Sequence, residues 1–287
     1  VRDLNFGLKQ LVKQRKGGSF KTRADRGNIL QQAANTLHDL GYRKLKPAGL
    51  KPKHVEALVE HWQARSLSPG TIKNRMVHLR WWAEQVGKAS VIARDNDHYG
   101  IDRRVYVTGE DKSRQLDAER LANVTDHHTR MSLRLQLAFG LRREEAIKFS
   151  PSYADQGDKL VLKASWTKGG KAREIPIRTE EQRQLLDEVR QFAGRGSLIP
   201  ANKNYREQMR TYERNTEKAG LDKNHGLRHA YAQKRYEELT GWPSPVAGGP
   251  SRQGLTAEQR RLDTEAREAI SLQLGHTRIA VVAIYLG

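Results

Sequence analysis

Along most of this chain the apolar residues recur with the period of an α-helix, and one stretch, residues 159–177, departs from it. There Leu160, Leu162 and Ala164 alternate with Val161, Lys163 and Ser165. Thr167-Lys168-Gly169-Gly170-Lys171 then makes a turn, and Glu174-Ile175-Pro176-Ile177 returns. A period of two places successive side chains on opposite faces, so the stretch predicts a β-hairpin with Gly-Gly at its tip. The expected fold class is therefore mainly α with a small β-hairpin, an α+β architecture.

The helical stripes divide the chain. Ile29, Leu30, Ala33, Ala34, Leu37 and Leu40 mark a helix over residues 23–42 that ends at Gly41. Val55, Leu58, Val59 and Trp62 repeat the pattern over 52–66. Ser68-Pro69-Gly70 is a turn, and Thr71 is expected to cap a third helix carrying Ile72, Met76, Leu79, Trp82 and Val86. Residues 23–90 thus read as a small helical domain. Residues 1–22 read as a short helix and then a flexible basic arm bearing Lys13, Arg15, Lys16 and Lys21. Residues 91–112 are rich in turn and charged residues and read as a linker. A second domain, 113–287, follows. Its helices are expected at 116–124, 128–149, 179–193, 203–219, 225–240, 256–273 and 277–286, and the Pro/Gly-rich residues 242–250 are expected to form an exposed loop.

Charge points to the partner. The 287 residues carry a formal net charge of +19. The excess lies in both parts, with 21 basic against 10 acidic residues in 1–110 and 31 against 23 in 111–287. A polyanion relieves such self-repulsion, so nucleic acid is the expected partner. Lys73, Arg75 and Arg80 on the exposed sides of the first domain's helices, together with Lys13, Arg15, Lys16 and Lys21, are the candidate phosphate contacts. Cysteine is absent, which excludes disulfides, thiolate metal sites and cysteine nucleophiles. No apolar run approaches the ~18 residues a membrane span needs.

Four places carry candidate chemistry. In Gly140-Leu141-Arg142-Arg143-Glu144-Glu145, an arginine after an apolar helix can grip two phosphate oxygens, and spacing to Glu145 favours Arg142 over Arg143. Lys168 sits in the hairpin turn, where it can reach a ligand as a mobile ammonium. His225 and Arg228 are three residues apart on one face of a helix start, a favourable place for phosphate. His276 and Tyr285 close the chain. At about 100° per residue, a continuous helix would set those two on opposite faces. They share a site only if the helix bends or begins after His276, and Gly275 supports a break there.

These residues suit phosphodiester transfer. Tyrosine becomes a nucleophile if its proton can leave during attack. Two arginines and histidine donors can stabilise the charge that develops on the non-bridging oxygens. Lys168 is the natural acid for the leaving 5′-oxygen. No metal or cofactor is expected. The most metal-like run, Asp126-His127-His128, reads as a helix cap because adjacent helical histidines diverge.

The order Arg142, Lys168, His225-x-x-Arg228, His276, Tyr285 resembles that of the tyrosine recombinases, the phage-integrase family. The motif text is similar in Gly140-Leu141-Arg142 with Glu145, in Thr167-Lys168-Gly169-Gly170-Lys171 before Ile175-Pro176-Ile177, in His225-Gly226-Leu227-Arg228-His229, and in Leu274-Gly275-His276-Thr277-Arg278 with Ile284-Tyr285. The resemblance covers about 115–287, and residues 23–88 look like the family's core-binding domain. It implies Tyr285 as nucleophile forming a 3′-phosphotyrosyl bond, with Arg142, Arg228, His225 and His276 on the scissile phosphate and Lys168 as acid. A partner strand's 5′-OH would resolve that bond without ATP. It further implies a homotetramer on two double-stranded DNA recombination sites that is monomeric without DNA, accessory DNA-bending proteins, no membrane, and a cytoplasmic, nucleoid-associated location. The stretch between Arg228 and His276 is longer than in compact members, as if the loop and the charged helix over 256–268 were inserted. The competing readings are a type IB topoisomerase and a DNA-binding protein with a non-catalytic recombinase fold.

Overall fold

A computed structural model describes residues 2–287. The chain divides into two compact units, with the boundary between Val105 and Tyr106.

The first unit is built on α1 (Asp3–Gln14), α2 (Phe20–Asp39), α3 (Pro52–Ala64) and α4 (Pro69–Gln85). Ser19 caps α2 by accepting the Thr22 N–H, and Ser68 caps α4 by accepting the Thr71 N–H. Thr71, expected to be the cap, is therefore already inside the helix. Pro69 at the first helical position is preset for it, and the missing N–H would have had no partner there in any case. The core holds Leu30, Leu37, Leu58, Met76, Leu79 and Trp82. The Trp82 indole also donates to the Pro47 carbonyl, 3.0 Å away.

The short helix expected at the beginning of the chain is α1, and it docks on the first unit. Leu4 and Leu8 of α1 are buried in the same core. Gly7 makes the docking possible, since a Cβ there would lie 2.5 Å from Pro47 Cγ. Asn5 and Gln31 hydrogen-bond each other across α1 and α2. Residues 91–101, read as linker, also pack here, with Ile92 and Ile101 buried.

The second unit contains α5 (Ala118–Ala122), α6 (His127–Phe139), α7 (Arg143–Ile147), α8 (Pro151–Ala154), β1 (Lys159–Leu162), β2 (Arg173–Pro176), α9 (Glu180–Ala193), α10 (Tyr205–Lys218), α11 (Gly226–Thr240), α12 (Ala257–Leu274) and α13 (Ala283–Leu286). Asp126 caps α6 through the Thr129 N–H. The helix expected over 128–149 breaks in two at Gly140, whose φ is +61°. Only glycine fits there: a Cβ would stand 2.5 Å from Tyr231 Cδ1.

The hairpin pairs antiparallel, Leu160 with Ile175 and Leu162 with Arg173. Its connection, residues 163–172, is longer than a two-residue Gly-Gly tip and includes a 3₁₀ turn at Ala164–Trp166. Leu160, Leu162 and Ile175 face inward and are fully buried.

Two stretches read as apparent insertions are tied to the core. The loop 242–250 is exposed at Pro243, Ala247, Gly248 and Pro250, as expected, and is anchored at Ser244, which is fully buried and whose carbonyl accepts the N–H groups of Ala247 and Gly249. Gly249 is compulsory, because a Cβ would overlap the Pro243 carbonyl oxygen at 1.8 Å. The supposed inserted helix, α12, buries Ala266, Ile270 and Leu274 against the central cluster. Its Asp263 accepts from the Tyr236 hydroxyl, Arg252 and Arg267.

Candidate active site

Two breaks in helical structure, at Gly140 and Gly275, and the start of α11 bring Arg142, His225, Arg228, His276 and Tyr285 together. After Gly140, the chain turns so that Arg142 precedes α7. The Arg142 N–H donates to Glu145 Oε2 at 2.6 Å, and its Nη1 donates to Glu145 Oε1 at 2.8 Å. Arg143 points elsewhere and pairs with exposed Glu213. Arg142 is thus the arginine held beside Glu145.

Arg228, in the first turn of α11, is 1% exposed. Its Nη1 donates to the Gly140 carbonyl and its Nη2 to the Leu274 carbonyl. Gly140 caps the end of α6 and Leu274 is the last residue of α12, so one guanidinium ties together three helix ends. Its Nε reaches Tyr285 Oη at 3.4 Å, and Nη2 lies 3.5 Å from His276 Nε2.

His276 follows Gly275, which ends α12 at φ +67°. The terminal segment Ile279–Leu286 then runs at 86° to α12. This bend resolves the angular problem, and the His276 and Tyr285 ring centres are 5.6 Å apart. His225 immediately precedes α11, with its ring 6.2 Å from that of Tyr285. Tyr285 itself is buried with Val282 and Leu286 in the central cluster.

Lys168 stands apart from this network, exposed in the loop between β1 and β2. In the first unit, Lys13, Arg15 and Lys16 are exposed. Lys21 is exposed and pairs with Asp25 at 2.5 Å. Lys73 is half-buried. Arg75 lies over the Trp62 ring. Arg80 is engaged within its own unit, donating to the Ala93 carbonyl and to Asn96 Oδ1.

Two site residues escaped the sequence reading. Arg173 donates to both oxygens of Glu145, at 2.5 and 2.6 Å. It lies two residues before buried Ile175, so the period of the strand puts it on the inner face; that was the available signal. His229, one turn after His225, places its ring 4.5 Å from that of Tyr285, the two planes inclined at 45°.

The electrostatics follow from burying several cations around one carboxylate. Burial opposes the Glu145 anion, but hydrogen bonds and charge from Arg173, and the charge and N–H of Arg142, overcome it and hold its pKa at about 2. Burial lowers Arg228 to about 10, with Arg142 and Arg173 adding to the effect. His276 is lowered to about 4, first by burial and then by Arg228, Arg142 and Arg173. His229 is lowered to about 4 by burial and by His225 and Lys112. His225 is lowered by burial, Arg228 and Arg142. The site is a cluster of fixed guanidinium charges lined by neutral imidazoles, with a tyrosine hydroxyl at one arginine. An anion placed there meets charge and donors already oriented.

A sequence model of the family described as "Phage integrase, N-terminal" matches residues 1–92, and one described as "Integrase" matches residues 108–234. Together they span most of the chain, including Arg142, Lys168, His225 and Arg228. The chain belongs to the tyrosine recombinases. By family this tyrosine recombinase is a DNA strand transferase.

Its fold is shared with solved recombinases. A lambda integrase dimer bound to a COC′ core site has a TM-score of 0.63 at 14% identity, covering 99% of this chain and 95% of that one. The Tn1549 transposon integrase in complex with circular intermediate DNA has a TM-score of 0.56 at 14% identity, covering 98% and 95%. The XerH site-specific recombinase bound to a palindromic difH substrate in a post-cleavage complex has a TM-score of 0.57 at 16% identity, covering 99% and 81%. No curated protein matches the chain.

Proposed function

We propose that this tyrosine recombinase cuts and rejoins DNA at specific sites, exchanging the strands of a mobile element. Tyr285 Oη attacks the scissile phosphorus as its proton passes to one of the neutral imidazoles around it, forming a 3′-phosphotyrosyl bond while the bond to the 5′-oxygen breaks. Arg142, Arg228, His225 and His276 hold the phosphate and the charge that develops on it. Lys168 gives its proton to the departing 5′-oxygen. A free 5′-OH from a partner strand then attacks the phosphotyrosine and restores Tyr285. The covalent bond preserves the phosphodiester energy, so the exchange needs no ATP.

The observation that carries this reading is Arg228, which meets both Tyr285 Oη and His276 while buried. The buried state costs desolvation that an anion can offset. The exposed cations Lys13, Arg15 and Lys16 and the half-buried Lys73 and Arg75 would serve as phosphate contacts of the first unit. Assembly as a homotetramer on two sites is part of the proposal, by analogy with the lambda integrase tetramer bound to a Holliday junction. Accessory DNA-bending proteins and a cytoplasmic, nucleoid-associated location belong to it as well. Among the described residues, no single helix is long and apolar enough to cross a membrane.

The test is covalent capture on nicked suicide duplexes. Wild-type protein should form an adduct stable to denaturation, and Tyr285→Phe should bind the same duplex without forming one. An adduct that persists in Tyr285→Phe overturns the assignment.

A further inference from the structure

Arg173 sits on β2, in register with Leu162, on the face that buries Leu160, Leu162 and Ile175. A charged side chain on that face needs a partner, and Glu145 supplies both carboxylate oxygens. The same oxygens accept the Arg142 side chain and backbone. Arg173 therefore shares one carboxylate with Arg142. It also runs beneath the break before His276: a Cβ on Gly275 would lie 2.9 Å from Arg173 Cδ. One side chain thus touches the arginine turn and the histidine break from the strand that follows the Lys168 loop.

The hairpin holds the first half of that loop by Trp166, buried in the central cluster, and by the Thr167 hydroxyl on the Ala164 and Lys171 carbonyls; Arg173 holds its far end. The two strands are four residues each and stand alone as a two-stranded sheet. Such pairs are marginal by themselves. Residues 163–172 run from the end of β1 straight into Arg173.

We infer that Arg173 is a positioning residue, fixing the Lys168-bearing loop to the Arg142–Glu145 turn and to the His276 break. The functional half rests on the reading of Lys168 as the proton donor. Lysine at position 173 would keep the charge but lose the two-pronged grip that sets direction.

The experiment uses the full chain and nicked duplexes recovered by covalent capture from a randomised pool. Each is made with either oxygen or sulfur at the 5′ leaving position; sulfur departs without a proton. Arg173→Lys is expected to slow single-turnover cleavage about ten-fold or more on the oxygen duplex and no more than about three-fold on the sulfur duplex. Added to Lys168→Ala, it should cost no more than about a further three-fold on the oxygen duplex. Equal losses on the two duplexes would overturn the inference, since Arg173 would then act only through phosphate binding at Arg142.

Amide hydrogen exchange reads the same claim without catalysis. In Arg173→Lys, residues 163–172 should exchange about ten-fold faster or more while α11 is unchanged. Unchanged exchange in the loop also overturns the inference. A wild-type chain that forms no adduct, with a loop that still loosens on substitution, removes the strand-transfer reading and leaves the anchoring role standing. If Arg173→Lys does not fold, the charge-balanced pair Arg173→Gln/Glu145→Gln carries the same comparisons.

Discussion

Asp111 and Tyr285 are joined through one amide nitrogen. Gln233 Nε2 lies 2.8 Å from Asp111 Oδ1 and 3.4 Å from the Tyr285 carbonyl oxygen. Asp111 is held in turn by the Ser113 N–H and hydroxyl, and the next residue, Arg114, donates its N–H to the Gly226 carbonyl at the start of α11. The stretch that enters the second unit is thus bonded to the helix that carries Arg228 and, through Gln233, to the tyrosine segment. Gln233→Ala should leave duplex binding intact and slow adduct formation about five-fold, as expected for one hydrogen bond of roughly 1 kcal/mol that orients a nucleophile. A single-turnover rate with a parallel binding isotherm checks it.

Glu145 is the carboxylate on which two arginines depend. Glu145→Gln leaves Arg142 and Arg173 without a counter-charge in a buried place, and a loss of about 3 kcal/mol is expected at neutral pH. The Glu145 pKa is lowered to about 2 in the folded chain, from 4.5. Its contribution is therefore complete above about pH 4.5 and is lost as pH falls through about 2. Urea unfolding of wild type and variant should converge as the medium is acidified across that window.

The histidines respond at higher pH. His229 and His276 are held at about 4 when folded, against 6.5 for the free side chain. Between those values the unfolded chain binds more protons, so stability is full above about pH 6.5 and falls as pH drops toward 4. The urea midpoint of wild type should be lower at pH 5 than at pH 7, and His229→Gln/His276→Gln should flatten that slope. Orthovanadate, a phosphate mimic, should raise the His276 pKa by adding negative charge beside Arg228, which a proton NMR titration reads directly.

Gly7 tests the docking of α1. Gly7→Ala gains helix propensity of about 1 kcal/mol but forces a Cβ into Pro47, and overpacking of this kind costs about 1–3 kcal/mol. A net loss of stability is expected by urea or thermal unfolding. A gain would mean that α1 does not pack as described.

The sequence made the helices legible because their apolar positions repeat locally, and the hairpin because Leu160, Leu162 and Ile175 follow the other period. Glycines at 140 and 275 marked the two breaks, one read as a helix end and the other missed inside the 128–149 stripe. The 242–250 loop is exposed at several residues, as its composition suggests, but its anchor at Ser244 was not legible, for a physical reason. Proline and glycine signal irregular backbone, and they carry no information on whether that backbone folds inward around Ser244. The cap at Ser68 was missed because Thr71, three residues on, has the same chemistry.

What the sequence by itself determined is the order of chemical groups and the local period that places each near a helix end or a strand. Only the tertiary structure decided which of them share charge. Arg173 and Glu145 are far apart along the chain, as are Gln233 and Tyr285, and no local period relates such pairs. Their meeting depends on how α7, β2, α11 and the tyrosine segment pack. Once they are buried together, an unpaired charge costs more than the pairing constrains, so packing selects the partners.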